Sequence, residues 1–260
     1  MAQLHQREAL RQRSAALLES AQSALARGAL IEARAKLRAV LESQDSLLAR
    51  ALWRRLDAGA LHWKKRLGAI LYDVAFSPDG QTVAVACMDH AIYVIDVVTG
   101  NARVLRGHVD QVMAVAFTPD GRRLASSTWG GAIWMWDLRT GKGRSLGSHA
   151  KGVMGLSFDP SGRRLASASS DHTVRVWDVA GGRVLTTLRG HGAAVRRVRF
   201  GPKGQRLATS SFDGTVRLWD AKTGRLQVKI AQHGAPVRSV QISPDGKLVV
   251  SVGEDRSVRL

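Results

Sequence analysis

Short apolar runs alternate with short polar segments in residues 149–189. Four runs, VMGLSF, RLASAS, TVRVWD and RVLTTL, are rich in Val, Leu and Thr, which favour strands. Polar segments of three to five residues separate them, and DPSGR between the first two places proline and glycine where a tight turn needs them. The pattern predicts four short antiparallel strands joined by hairpin turns.

This pattern recurs along most of the chain. Proline, the residue two positions before it and the glycine two positions after it all return at steps of 41 or 42 residues, as do histidine and a Trp-Asp pair. Several position types that share one period indicate a structural repeat. Four strands per period is the unit of a β-propeller, called a blade. The predicted blades cover about 70–106, 111–147, 152–189 and 194–230, with a fifth that begins at 236.

The pattern GH…V..V.F.P.G..LAS.S.D.TVR.WD resembles the WD-repeat propellers over residues 70–260. The resemblance implies a buried network in each blade, made by a histidine, a strand serine or threonine, a turn aspartate and a tryptophan. Such buried polar groups need hydrogen-bond partners. The matching positions are His108, Ser126 and Trp136; His149, Ser167, Asp171 and Trp177; His191, Thr209, Asp213 and Trp219; and His233, Ser251 and Asp255.

Two blades depart from this pattern. Gly130 stands where the second blade should have its aspartate. The first blade has Asp89, but Leu67, Val85 and Ile95 replace the other three members. We expect these two blades to be less rigid than the others, or to depend on apolar packing instead.

The number of blades is a separate expectation. The fifth blade stops at Leu260, and WD propellers commonly close with about seven blades. The fold expected is therefore an all-β propeller of four full blades and a partial fifth, within a seven-bladed ring whose further blades lie beyond residue 260. Residues 61–66 align with the outermost strand of a blade, so a five-bladed ring closed by this strand is the alternative.

Residues 1–60 are predicted to form a helical segment ahead of the propeller at 61–260. Apolar residues follow helical spacing on both sides of a glycine. The spacing resembles a tetratricopeptide hairpin, with a third helix at about 46–57; a short linker that packs on the propeller is the alternative. The matching residues are Ala21, Gly28, Leu30, Ala33 and Leu37.

A helical segment followed by WD repeats is also similar to the C-terminal part of large bacterial serine/threonine kinases. That resemblance implies a regulatory region of such a kinase. The chain has no glycine-rich phosphate loop, HRD-type loop or DFG triplet, so no kinase activity is assigned to these residues.

Composition narrows the function further. Cys87 is the single cysteine, which points to a reducing, cytoplasmic setting, and no apolar run is long enough to span a membrane. No CxxC, HExxH or HxH cluster is present, and the repeat accounts for four of the eight histidines. We therefore expect no catalytic residue, no metal and no cofactor.

The function expected is a protein-interaction scaffold, the binding module of a signalling or regulatory protein. In WD propellers the residue before the turn aspartate lies near one face, and large side chains there suit partner binding. The alternative is binding of nucleic acid or another anionic surface, because the formal net charge is +18. The residues expected to form the partner-binding rim are Met88, Trp129, Phe212, Asp110, Lys151, Arg196 and Arg197.

Overall fold

A computed structural model describes residues 12, 15–23, 36, 37, 40 and 64–260. The chain divides into two compact units, Met1–Arg66 and Leu67–Leu260.

The one continuous helical run described in the first unit, α1, is short and covers residues 15–23. Its Ala21 is fully buried, as are Leu37 and Val40. The ammonium group of Lys36 donates a hydrogen bond to the Ser20 hydroxyl at 2.7 Å, which links the two stretches. In its described residues the first unit has one short helix, and not the predicted hairpin plus a third helix. Gly28, Leu30, Ala33 and the predicted helix at 46–57 lie outside them.

The second unit is built from strands alone. In residues 64–260 the strands are β1 (Leu71–Phe76), β2 (Thr82–Cys87), β3 (Ile92–Asp96), β4 (Ala102–Leu105), β5 (Val112–Phe117), β6 (Arg123–Thr128), β7 (Ala132–Asp137), β8 (Gly143–Ser148), β9 (Val153–Phe158), β10 (Arg164–Ser169), β11 (Val174–Asp178), β12 (Val184–Leu188), β13 (Val195–Phe200), β14 (Arg206–Ser211), β15 (Thr215–Asp220), β16 (Leu226–Gln232), β17 (Val237–Ile242), β18 (Val249–Gly253) and β19 (Val258–Arg259).

These strands form five antiparallel sheets, the blades of the propeller. Strands follow chain order within each sheet, so β1–β4, β5–β8, β9–β12, β13–β16 and β17–β19 make blades 1 to 5. The predicted blade count is wrong, because the structure has five blades and not four plus a fragment of a seven-bladed ring. The repeat period predicts the strands of one blade but not the number of blades in the ring. The expected number of seven rests only on resemblance to other WD propellers.

The first strand of each blade is its inner strand, and successive inner strands contact one another along the unit. Apolar side chains from the inner strands fill the interfaces between sheets, and Val115, Leu156, Val198 and Val240 are buried there. Burial of this apolar surface holds the sheets together.

Each inner strand carries one extra residue near its start. Pairing shifts between Leu71 and Asp73 in blade 1, and at the equivalent place in the other four blades. Such β-bulges re-aim a side chain relative to the regular strand. The bulge residues are Tyr72, Met113, Met154, Arg196 and Arg238.

Candidate functional site

Blade 3 contains a complete chain of buried hydrogen bonds. The Trp177 indole Nε1–H donates to the Ser167 hydroxyl oxygen at 2.7 Å. That hydroxyl lies 2.7 Å from His149 Nε2, and His149 Nδ1 lies 2.8 Å from a carboxylate oxygen of Asp171. A neutral imidazole with its proton on Nδ1 satisfies every member, because Ser167 then donates to Nε2.

Blade 4 repeats this chain with threonine in place of serine. Trp219 Nε1–H donates to Thr209 Oγ1 at 2.8 Å, and Thr209 Oγ1 lies 2.7 Å from His191 Nε2. His191 Nδ1 lies 2.8 Å from Asp213. Trp219 and Thr209 are buried. Two blades with different hydroxyl residues therefore make the same chain of contacts.

Blades 2 and 5 each hold part of the network. In blade 2, Ser126 Oγ lies 2.7 Å from His108 Nε2 and accepts the Trp136 Nε1–H at 2.7 Å. In blade 5, His233 lies 2.9 Å from both Ser251 Oγ and an Asp255 carboxylate oxygen. All four network histidines are buried.

Blade 1 uses a different pair. The Tyr93 hydroxyl donates to Asp89 at 2.6 Å, and the Ala91 backbone N–H donates to the same carboxylate at 3.2 Å. Val85 and Ile95, which replace the network serine and tryptophan, are buried. Blade 1 therefore fills this place with apolar side chains.

The environment lowers the pKa of His108, His149, His191 and Asp171. Burial lowers the pKa of His149 and His191, against the effect of Asp171 and Asp213, and lowers the pKa of His108 to about 4. Burial alone raises the pKa of Asp171, but hydrogen bonds from Thr173 and His149 lower it to about 2. Neutral histidine beside ionised aspartate is the favoured state near neutral pH.

Asp171, His149 and Ser167 thus stand in the order of a hydrolase triad. The Ser167 hydroxyl is fully buried and accepts the Trp177 N–H, so a substrate cannot reach it. A catalytic serine must expose its oxygen to the bond it attacks. The arrangement stabilises the blade.

The predicted rim residues occupy one repeated place at the start of the inner strands. The backbone N–H groups of Met88, Trp129 and Phe212 each donate a hydrogen bond to a backbone carbonyl, at 2.8, 3.0 and 2.9 Å. In each case the carbonyl belongs to the residue just before the inner strand of the same blade. The exposed fraction is 55% for Trp129 and 38% for Met88. Phe212 is half-buried.

Two of the predicted polar residues adjoin Trp129. The Asp110 carboxylate lies beside the backbone of Gly130, where a Cβ would stand 2.8 Å from Asp110 Oδ2. Gly152, the residue after exposed Lys151, packs against the Trp129 carbonyl. Trp129, Asp110 and Lys151 therefore form one surface.

Phe212 lies in a more charged part of the rim. The Arg238 guanidinium covers its ring, 5.1 Å from the centroid, and also pairs with Glu254. Arg196 occupies a bulge position and donates to the Met154 carbonyl at 3.3 Å. Arg197 points elsewhere, because it pairs with Asp73 of β1 at 3.0 Å.

Sequence reasoning missed the bulge residues as a group. They follow the first residue of every inner strand, so the repeat period could have found them as a set of five. It also missed Asp73, because the Arg197–Asp73 pair joins residues 124 positions apart.

The described residues contain no cluster of histidine, cysteine or acidic side chains that could hold a metal ion. The helical part that the structure describes includes no segment long and apolar enough to cross a membrane.

Blades with a shared histidine–hydroxyl–tryptophan network define a repeat β-propeller, a class whose members typically act as scaffolds for protein interactions. The WD domain, G-beta repeat family matches residues 65–96, 100–137, 142–178, 182–220 and 224–260. The chain belongs to this family, and the predicted WD repeats are confirmed. No curated protein sequence matches the chain.

The matched repeats are offset from the sheets. The second to fifth repeats each begin near the outermost strand of one blade and end with the third strand of the next, so the fifth repeat, 224–260, ends with β19. Five repeats match the family, so the prediction of four full blades and a partial fifth is wrong.

Proposed function

We propose that this chain is a non-catalytic protein-interaction module that binds its partner at the rim formed by Met88, Trp129, Phe212 and the polar residues beside them. The observation that carries the proposal is the exposure of Trp129. Tryptophan is a favoured anchor at interfaces, and an indole that is 55% exposed retains much apolar surface for a partner to cover.

The rim has two chemically different parts. Met88 and Trp129 of blades 1 and 2 present apolar surface, with Asp110 and Lys151 at its edge. In blades 4 and 5, Arg238 covers Phe212, and Arg196 lies nearby on its own inner strand. An apolar anchor beside basic groups suits a protein segment that carries an apolar side chain and an acidic one.

The partner is proposed to be another protein, in the cytoplasm. The role in signalling, and the place of the chain in the C-terminal region of a bacterial serine/threonine kinase, rest on resemblance alone and stay predictions.

The test compares proteins captured by the full chain with those captured by Trp129→Ala and Phe212→Ala. Leu185→Ala is a matched control, because Leu185 is a similarly exposed apolar residue on outer strand β12. A partner that binds at the rim should bind the wild type and the control equally. Its dissociation constant, measured with purified partner, should rise about tenfold or more for Trp129→Ala.

A partner that binds both rim variants as tightly as the control would refute the rim proposal. Binding to polynucleotide that falls steeply with salt and ignores Trp129 would instead favour the nucleic-acid alternative.

A further inference from the structure

Charge is distributed unevenly over the five inner strands. Their sequences, LYDVAF, VMAVAF, VMGLSF, VRRVRF and VRSVQI, contain four arginines and one aspartate. Arg238 is paired with Glu254 at the rim. The other three arginines lie together on β13, and Asp73 on β1 is the one carboxylate that the inner strands supply.

Asp73 is shared between two partners. One of its oxygens accepts the Arg197 guanidinium at 3.0 Å, and the other accepts the Val115 backbone N–H at 3.2 Å. The Arg197 and Asp73 side chains are only 17% and 14% exposed. The ion pair therefore lies inside the unit and joins blade 4 to blade 1.

Arg199 lies two residues further along β13 and has neutral partners only. It donates to the side-chain oxygen of Gln241 at 3.1 Å and to the Leu156 and Val198 carbonyls at 3.3 and 3.4 Å. Burial lowers its pKa, and the neighbouring charge of Arg197 lowers the pKa further. Two partly buried guanidinium groups thus lie near a single inner-strand carboxylate, which pairs with only one of them and leaves net positive charge.

A cavity of about 470 Å³ lies at this place, lined by β1, β5, β9, β13 and the turns that follow them. We call it the channel cavity. Asp73 and Arg199 line it, and at the strand position of Arg199 the other three strands have Ala75, Ala116 and Ser157. These small side chains leave space in front of the guanidinium.

The far ends of the same four strands give the channel cavity an apolar part. Phenylalanine ends each of them, and proline follows two residues later. Phe76 is 66% exposed, so its ring is available to a ligand. Asp159 also lines the cavity, but Arg164 pairs with it at 3.1 Å. The apolar residues are Phe76, Phe117, Phe158, Phe200, Pro78, Pro119, Pro160 and Pro202.

We propose that the channel cavity binds an organic oxyanion, a carboxylate or phosphate group on an apolar body. The anionic group lies against the Arg199 guanidinium, which lines the cavity, and the apolar body lies against the exposed Phe76 ring. Guanidinium groups bind both kinds of oxyanion through paired N–H donors. The site is distinct from the rim, because the inner strands begin at the rim and end at the phenylalanines.

Asp73 distinguishes this site from a purely structural ion pair. Asp73 lines the same cavity, and its charge repels a bound anion, so removal of the carboxylate charge strengthens anion binding. Removal of the Arg197 charge that offsets Asp73 weakens it. If the ion pair were only structural, loss of either partner would change anion binding in the same direction. Asp73→Asn keeps an oxygen that can accept the Val115 N–H, which preserves the local fold.

The experiment is calorimetric titration of the full chain with phenyl phosphate at constant ionic strength. Arg199→Met and Arg197→Met should each weaken binding by about tenfold or more, and Asp73→Asn should strengthen it by roughly tenfold. Arg183→Met is the charge control, because that arginine is exposed on the outer part of blade 3. Circular dichroism and the Tm verify that each variant is folded.

Additional measurements test the apolar part of the site and its independence from the rim. Inorganic phosphate should bind more weakly than phenyl phosphate, and equal binding would refute the apolar part. Trp129→Ala should leave phenyl phosphate binding unchanged, so failure at the rim and failure in the cavity are distinguishable. Absence of saturable binding at millimolar phenyl phosphate, or weaker binding by Asp73→Asn, would overturn the proposal.

Discussion

His149 Nδ1 lies 2.8 Å from the Asp171 carboxylate, whereas His108, the equivalent histidine of blade 2, has Gly130 in place of that aspartate. Both histidines are buried and both contact a serine hydroxyl through Nε2. The two histidines differ in the contacts that each would make when protonated. A charged His149 would face an ionised carboxylate, and a charged His108 would lack that contact.

The first prediction follows from the pKa of His108, which burial lowers from 6.5 to about 4. A group whose pKa is lower in the folded state contributes stability above its unfolded pKa and loses it as pH falls. The free energy of unfolding should therefore decrease between pH 6.5 and 4, with a contribution of roughly 3 kcal/mol from His108. Urea denaturation across this range measures it.

His108→Gln should flatten this part of the pH profile, while His172→Asn, at an exposed position whose positive φ asparagine tolerates, should leave it unchanged. A profile with the same slope in wild type and His108→Gln would show that His108 does not control acid stability.

The second prediction concerns the centre of the blade 3 network. Ser167→Ala removes the partner of both His149 Nε2 and Trp177 Nε1. Because buried polar groups without partners are costly, we expect a loss of about 3 kcal/mol in the free energy of unfolding. Ser148→Ala, at an exposed position, should change it by less than about 0.5 kcal/mol. Equal effects would argue against an energetic role for the network.

The third prediction compares two serines at the same repeat position. Ser210 Oγ is the one buried side-chain polar atom without a hydrogen-bond partner in the described part of the chain. Ser127 Oγ, its counterpart in blade 2, donates to the Val153 carbonyl at 2.9 Å. Blade 3 has Ala168 there. Ser210→Ala should therefore be neutral or stabilising, and Ser127→Ala should cost about 1 kcal/mol, by chemical denaturation.

A cost of Ser210→Ala as large as that of Ser127→Ala would mean that the Ser210 hydroxyl has a partner in solution, such as a buried water molecule.

The fourth prediction tests the close approach of two inner strands. A Cβ at Gly155 would lie 3.0 Å from the Arg196 carbonyl oxygen and 3.1 Å from Arg197 Cα. These are backbone atoms and cannot turn aside, so Gly155→Ala should lower the free energy of unfolding by about 1–3 kcal/mol. Gly234→Ala is the control, because a Cβ there meets nothing within 4 Å. A Gly155→Ala variant as stable as the control would show that β9 and β13 can separate freely.

The WD repeats could be predicted from the sequence because each blade is local. The four strands of a blade are consecutive, and the histidine, hydroxyl, aspartate and tryptophan of one blade lie within 29 residues, from His149 to Trp177. The period gave their positions even where the residue changes, as at Thr209. The replacement of Asp by Gly130 was also visible in the sequence.

Other features depend on how blades meet, and periodicity does not encode that. Arg197 and Asp73 are paired because curvature of the unit brings β13 close to β1. The predicted number of blades is wrong for a related reason, because each sequence repeat is offset from the sheet of a single blade. Arg196 and Arg197 were predicted together as rim residues of one basic strand, but the bulge at Arg196 directs the two side chains differently.

The offset between repeat and sheet has a consequence during protein synthesis. The fourth strand of each of the first four sheets belongs to the repeat that follows, as β4 belongs to the repeat at 100–137. At about 5–20 residues per second a ribosome needs roughly 2–8 s per repeat. Each of the first four nascent sheets therefore keeps an unpaired edge on its third strand until the first strand of the next repeat has been synthesised and pairs with it.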